Sequence, residues 1–212
     1  MFRALRIAVP NMGERLLMGF GNLAFMKILT ILGTVAVAAH MIAIRVEAFS
    51  FMVGVGFSVA ASALAGQSLG ARDPDLAERS IQRTGFIGFL TMSGMAAAFL
   101  LFAGPIVRLF NPEPRVADFA ALCVMISAFE QPGLAFLMVY TGGLRGAGDT
   151  LSAMIIALAG TFIFRIPVVY IFGITFGWGI AGVWIATVCD WTVRAIAAYL
   201  FLEHGRWKSL EI

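Results

Sequence analysis

The chain has 212 residues, 60% of them hydrophobic and only 13% charged, with a mean hydropathy of +0.92 and a formal net charge of +3. Soluble domains carry about 25% charged residues, so this composition excludes an ordinary soluble domain and implies an integral membrane protein. The basic residues sit in short loops and are no nucleic-acid signal; Cys123 and Cys189, both in apolar stretches, imply neither a disulfide framework nor a metal site.

Six apolar stretches follow one another, at about 14–32, 37–69, 84–109, 116–140, 151–174 and 178–202. About 20 helical residues cross the hydrocarbon core, so the expected fold is all-α, a single six-span membrane bundle. MFRALRIAVPN, before the first, has no sustained apolar core or cleavage site and is not read as a signal peptide. The second stretch is the longest and carries Arg45 and Glu47 well inside it. Gly54, Ser58, Ser62 and Gly66 recur every fourth residue and form a small-residue stripe that admits a neighbouring helix. Glu47 lies within about 20° of the Gly54 face, so its carboxyl points to the packed side; Arg45 points elsewhere and snorkels.

After the second stretch, Asp73 and Pro74 read as a helix cap and first turn, and Leu76 to Arg83 as a charged helical lead-in. The fourth stretch is interrupted by Glu130-Gln131-Pro132-Gly133, where Pro132 removes a donor and frees the carbonyl of Ala128. Gly142 to Thr150, GGLRGAGDT, reads as a tight glycine-rich loop. The fifth stretch repeats the charge-plus-proline pattern with Arg165 and Pro167; the expected partner of Arg165 is Glu130 or Glu47. Asp190 and Arg194, four apart, are placed to pair on one face of the sixth helix. Trp184 and Trp191 share a face that meets lipid or, as the sharper reading, forms a stacking wall for a substrate. Trp178 and Trp207 fit interfacial anchors.

Nine basic residues (Arg3, Arg6, Arg15, Arg72, Arg79, Arg83, Arg145, Arg206 and Lys208) fall on one side and three (Lys27, Arg108 and Arg115) on the other. The positive-inside rule then puts both termini in the cytoplasm. HExxH, GxSxG and phosphate-loop patterns are lacking, so no chemistry on a substrate is expected and the chain is not read as an enzyme. Intramembrane charges mark functional sites by default, which makes Glu47 and Glu130 the leading candidates for an ion-linked role.

PNMGERLL, LGTVAVAAHMIAIRVE, IRVEAFSFM, GFSVAASALAGQSLGARDPDLAERS and GGLRGAGDT together resemble the second half of bacterial multidrug and toxic compound extrusion (MATE) transporters. The resemblance implies one six-helix lobe of a two-lobed antiporter in the bacterial inner membrane. Such a transporter exports amphipathic or cationic small molecules in exchange for H⁺ or Na⁺, with no other cofactor. The intramembrane charges make Glu47, Glu130, Arg165 and, more as structure than as site, Asp190 the candidates for coupling or substrate contact; the resemblance adds Glu14, weakly, and a cytoplasmic loop motif of Leu144, Arg145, Gly146, Gly148, Asp149 and Thr150. A second lobe, or self-association through the Glu47, Gly54, Ser58 and Ser62 surface, is the expected partner. The alternatives are a flippase for lipid-linked or anionic metabolites, suggested by Arg45, Arg165 and Arg194, and a truncated, non-transporting membrane subunit.

Overall fold

The structure is a computed structural model; it describes residues 2–205 and Trp207, with side chains from Leu16 onward. It is helical throughout: α1 Phe2–Ile31, α2 Thr34–Gly70, α3 Pro74–Arg108, α4 Pro114–Ser127, α5 Gln131–Gly146, α6 Thr150–Ala159, α7 Ile166–Tyr170 and α8 Gly179–Glu203. Two π-helical turns, Gly160–Arg165 and Ile171–Thr175, flank α7 and join it to α6 as one span. Among the described residues, four spans are long and apolar enough to cross a membrane: α2, α3, Thr150–Thr175 and α8. α4 and α5, bent by 56°, together make a fifth, and Leu16–Ile31 of α1 is a shorter apolar helix.

Helix α2 is the central post. Near its Thr34 end, Ala36, Ala39 and Ala43 pack with Ala96, Phe99 and Ala103 of α3, and with Ala120, Cys123 and Val124 of α4. Near its Gly70 end, Ala61 and Ala65 pack with Ile81 of α3, Leu137 and Leu144 of α5, and Ala198 and Leu202 of α8. Lipid tails are as apolar as leucine, so helices in a membrane associate by close packing, and alanine, glycine and serine at the contacts permit it. Exposed Met52, Leu101 and Ile163 lie on the outside, as a lipid-facing surface requires. We call the ends of the bundle that carry Thr34 and Gly179 upper, and those that carry Gly70 and Gly148 lower.

The charged lead-in before the third stretch is one helix with it. Asp73 accepts a hydrogen bond from the Leu76 amide at 2.8 Å, and Pro74 occupies the first turn. Near its far end α3 bends at Phe102 (φ −121°, ψ 15°), because Pro105 has no amide to give to the Leu101 carbonyl. The glycine-rich loop is shorter than its sequence reads: α5 runs through Gly146, and only Ala147, Gly148 and Asp149 form the turn. Gly148 takes φ +83°, the Asp149 amide donates back to the Leu144 carbonyl, and the Asp149 carboxylate caps α6 through the amide and hydroxyl of Ser152 at 3.1 and 2.7 Å. Gly142 and Gly146 are instead helix-packing residues. Cβ atoms there would overlap Ser58 and Ser62 of α2, so the two backbones are in contact.

That contact corrects one expectation. The stripe of Gly54, Ser58, Ser62 and Gly66 is not a vacant surface for a second chain; it is filled from within the lobe. Gly54 faces Met138 and Met92, Ser58 faces Gly142, Ser62 faces Gly146, and Gly66 faces the Gly146 carbonyl. Trp207 is likewise no interfacial anchor. It is fully buried, and its indole donates to the Leu202 carbonyl at 2.8 Å, whereas Trp178 is half exposed.

Candidate functional site

Where α4 meets α5, Phe129 and Glu130 continue in turn-type hydrogen bonds to Ile126 and Ser127, and α5 then starts again at Gln131. Glu130 is the N-cap of α5, and Pro132, in the first turn, has no amide to spare. The carboxyl of Glu130 is completely buried at the positive end of this helix. Among the described residues no donor reaches either of its oxygens. Its foremost charged neighbour is the carboxyl of Glu47 on α2, followed by Arg165 and Asp190. Glu47 and Glu130 are near enough to act on each other's charge, and two carboxyls so placed, one of them fully buried, do not both stay ionised without a cation.

Arg165 does not take the partner expected from sequence. Its Nε donates to Asp190 Oδ2 at 2.7 Å, and the Nε of Arg194 donates to Asp190 Oδ1 at 2.8 Å. Asp190 is fully buried and bridges both arginines, so it is a structural counter-ion. Both guanidiniums lie over the ring of Trp191, with Cζ 4.4 Å (Arg165) and 5.3 Å (Arg194) from its centroid. Arg194 also donates to the Thr161 hydroxyl at 3.1 Å. Room for it comes from Gly160 in the first π-helical turn, where a Cβ would collide with the guanidinium.

Two cavities meet at Trp191. The upper one, about 270 Å³, lies between α1, α2 and α8 and is lined by Phe25, His40, Glu47, Trp184 and Trp191 with Asn22 at its edge. His40 is buried between the rings of Phe25 and Trp184, at 5.3 and 5.5 Å. Its Nδ1 and the Nε1 of Trp184 have no hydrogen-bond partner among the described residues. The lower cavity, about 430 Å³, lies between α2, α5, α6 and α8, with Arg145 and Arg194 on its walls. Trp184 is thus buried rather than lipid-facing, and Trp191 is a cavity wall. Sequence reading passed over His40, although His40, Ile44 and Glu47 follow i, i+4, i+7 spacing on one helix face.

Of the other candidates, the side chain of Glu14 lies outside the described residues. Leu144 is buried in the lower core, Asp149 is a helix cap, and Thr150 begins α6. Arg45 is exposed, apart from the carboxyl pair.

A MatE family model matches residues 10–171. The chain belongs to the MatE family. It is 32% identical over 205 residues to the probable multidrug resistance protein NorM of Thermotoga maritima, covering 97% of this chain and 44% of that protein. It is 25% identical over 207 residues to the uncharacterized transporter YisQ of Bacillus subtilis, covering 98% of this chain and 44% of that one. An outward-facing multidrug resistance MATE family transporter of the MOP superfamily superposes with a TM-score of 0.87 at 21% identity, over 98% of this chain and 46% of that one. This MatE chain therefore spans somewhat less than half the length of the proteins it matches, and its helices take the fold of the corresponding part.

Proposed function

We propose that the chain is one lobe of a secondary antiporter in the bacterial inner membrane, its termini cytoplasmic, which exports amphipathic or cationic compounds in exchange for H⁺ or Na⁺. The observation that carries this reading is the Glu47–Glu130 pair. One carboxyl lines the upper cavity; the other is buried at a helix break with no donor on it. A proton or cation bound there holds α2 and the start of α5 together; its release leaves two like charges that repel in a poorly solvated place. Occupancy of the pair thereby sets the relation between α2 and α5. The cavity beside Glu47 presents the rings of Phe25, Trp184 and Trp191, surfaces that attract a cationic, flat compound. Such a compound and the coupling ion compete for one carboxylate, which is the basis of exchange. The matched relatives named for multidrug resistance support the substrate class.

Rocking of one repeat against another requires the second lobe, so the test belongs in the full two-lobed transporter. Glu47→Gln and Glu130→Gln are expected to abolish ion-driven efflux of a cationic dye from proteoliposomes while membrane insertion persists. Normal efflux by both variants across a range of pH would remove the pair from the coupling step.

A further inference from the structure

The lower cavity has the opposite character from the upper one. Arg194 lines it with a side chain only 4% exposed. Of the five N–H donors on this guanidinium, Asp190 and Thr161 take two. No acidic residue is among the described residues that line this cavity. Thr141 and Ser58 add hydroxyls, and Val55, Leu137 and Ile156 supply an apolar wall. The charge count explains why the cation is unspent: Asp190 is one carboxylate shared by two arginines. A volume of about 430 Å³ lies within the range of small-molecule sites, roughly 300–1,000 Å³.

We infer that this cavity is a binding site for an amphipathic organic anion, a carboxylate or phosphate on an apolar chain. The anionic head takes the remaining donors of Arg194. The chain lies along Val55, Leu137 and Ile156 toward Trp191. Guanidinium recognises both head groups by the same forked geometry, and the apolar wall selects against small inorganic anions. The site makes no use of the Glu47–Glu130 pair, so it stands or falls independently of the antiport reading.

The test uses the 212-residue chain in phosphatidylcholine nanodiscs and terminally brominated decanoate, decanol and decyl-trimethylammonium as probes, because bromine quenches a tryptophan it touches. The signal is the quenching that disappears in Trp191→Phe. Decanoate is expected to quench at about tenfold lower concentration than the other two, the preference one charge-assisted contact provides. Arg194→Gln leaves Asp190 with Arg165 as partner and is expected to abolish the preference. Ala157→Phe fills the cavity without changing a charge and is expected to abolish Trp191 quenching by decanoate and decanol. A phosphatidylglycerol with brominated tails, run against its phosphatidylcholine counterpart, separates the sources: quenching by the anionic lipid identifies a membrane lipid, and quenching by decanoate alone identifies a free amphiphile. Equal quenching by all three head groups, or a decanoate preference that survives in both variants, would overturn the proposal.

Discussion

Glu130-Gln131-Pro132 and Arg165-Ile166-Pro167 are the same sentence in sequence, a charge followed two residues later by proline, and the structure treats them in opposite ways. At Glu130 the span breaks and bends by 56°. At Arg165 it runs on from Thr150 to Thr175, with a π-helical turn on either side of the short α7 that carries Pro167. The charges differ as well. Arg165 is neutralised by Asp190, whereas Glu130 faces another acid. A proline in a membrane helix thus does not dictate a bend; the surroundings decide. After Pro132, α5 leaves in a new direction with Gly133 against the Thr192 backbone of α8, where a Cβ would make ordinary contact at 3.5 Å. The paired charge sits in the span that stays continuous, and the carboxyl pair sits where the chain already bends.

The comparison can be broken most severely at Asp190. Asp190→Asn strips the counter-ion from buried Arg194 and part-buried Arg165 and turns the quiet site into an unpaired one. Loss of one partner of a buried pair costs about 3–5 kcal/mol, so detergent melting and yield are expected to fall more than for any other substitution considered. Next comes Gly146→Leu, which forces the lower end of α5 off Ser62 and should cost about 1–3 kcal/mol of overpacking. Exposed Phe51→Leu is the matched control, and equal melting of the two would argue against the backbone contact. The proline difference itself is sharpened by spin-label distances. Pro132→Ala is expected to change the distance between labels on Phe119 and Tyr140, and Pro167→Ala to leave that between labels on Ile155 and Ile174 unchanged. Equal responses would show that proline alone sets both geometries. Smallest is Asp149→Ala, remote from either charge, which removes a cap worth about 1 kcal/mol and should lower the melting midpoint without touching the distances.

Much of this was legible because it is local. Hydropathy marked the helices, Pro132 and Glu130 marked a real break, Asp73 marked a cap, and four-residue spacing marked the α2 stripe. What was illegible depends on which helices become neighbours. Arg165 and Asp190 lie 25 residues apart on separate spans, and nothing in their local pattern ranks Asp190 above Glu130 as partner. The stripe advertised a close approach without naming the backbone that fills it. Gly142 and Gly146 look like turn residues in a glycine-rich string, yet their missing side chains serve packing, and only Gly148 uses glycine's freedom at positive φ. Trp207 was read as an anchor from its place near the end of the chain, and it proved to close the lower core.

The crossing of α2 and α5 at Ser58/Gly142 and Ser62/Gly146 also has a mechanical meaning. Helix α2 contains no proline, and its 37 residues make a rod of about 55 Å. The contact with α5 is backbone against side chain and backbone, runs along α2 from Gly54 to Gly66 and has little to compress, so the two helices form one stiff unit over about 18 Å. Glu47 lies about 10 Å beyond the end of that seam, toward Thr34.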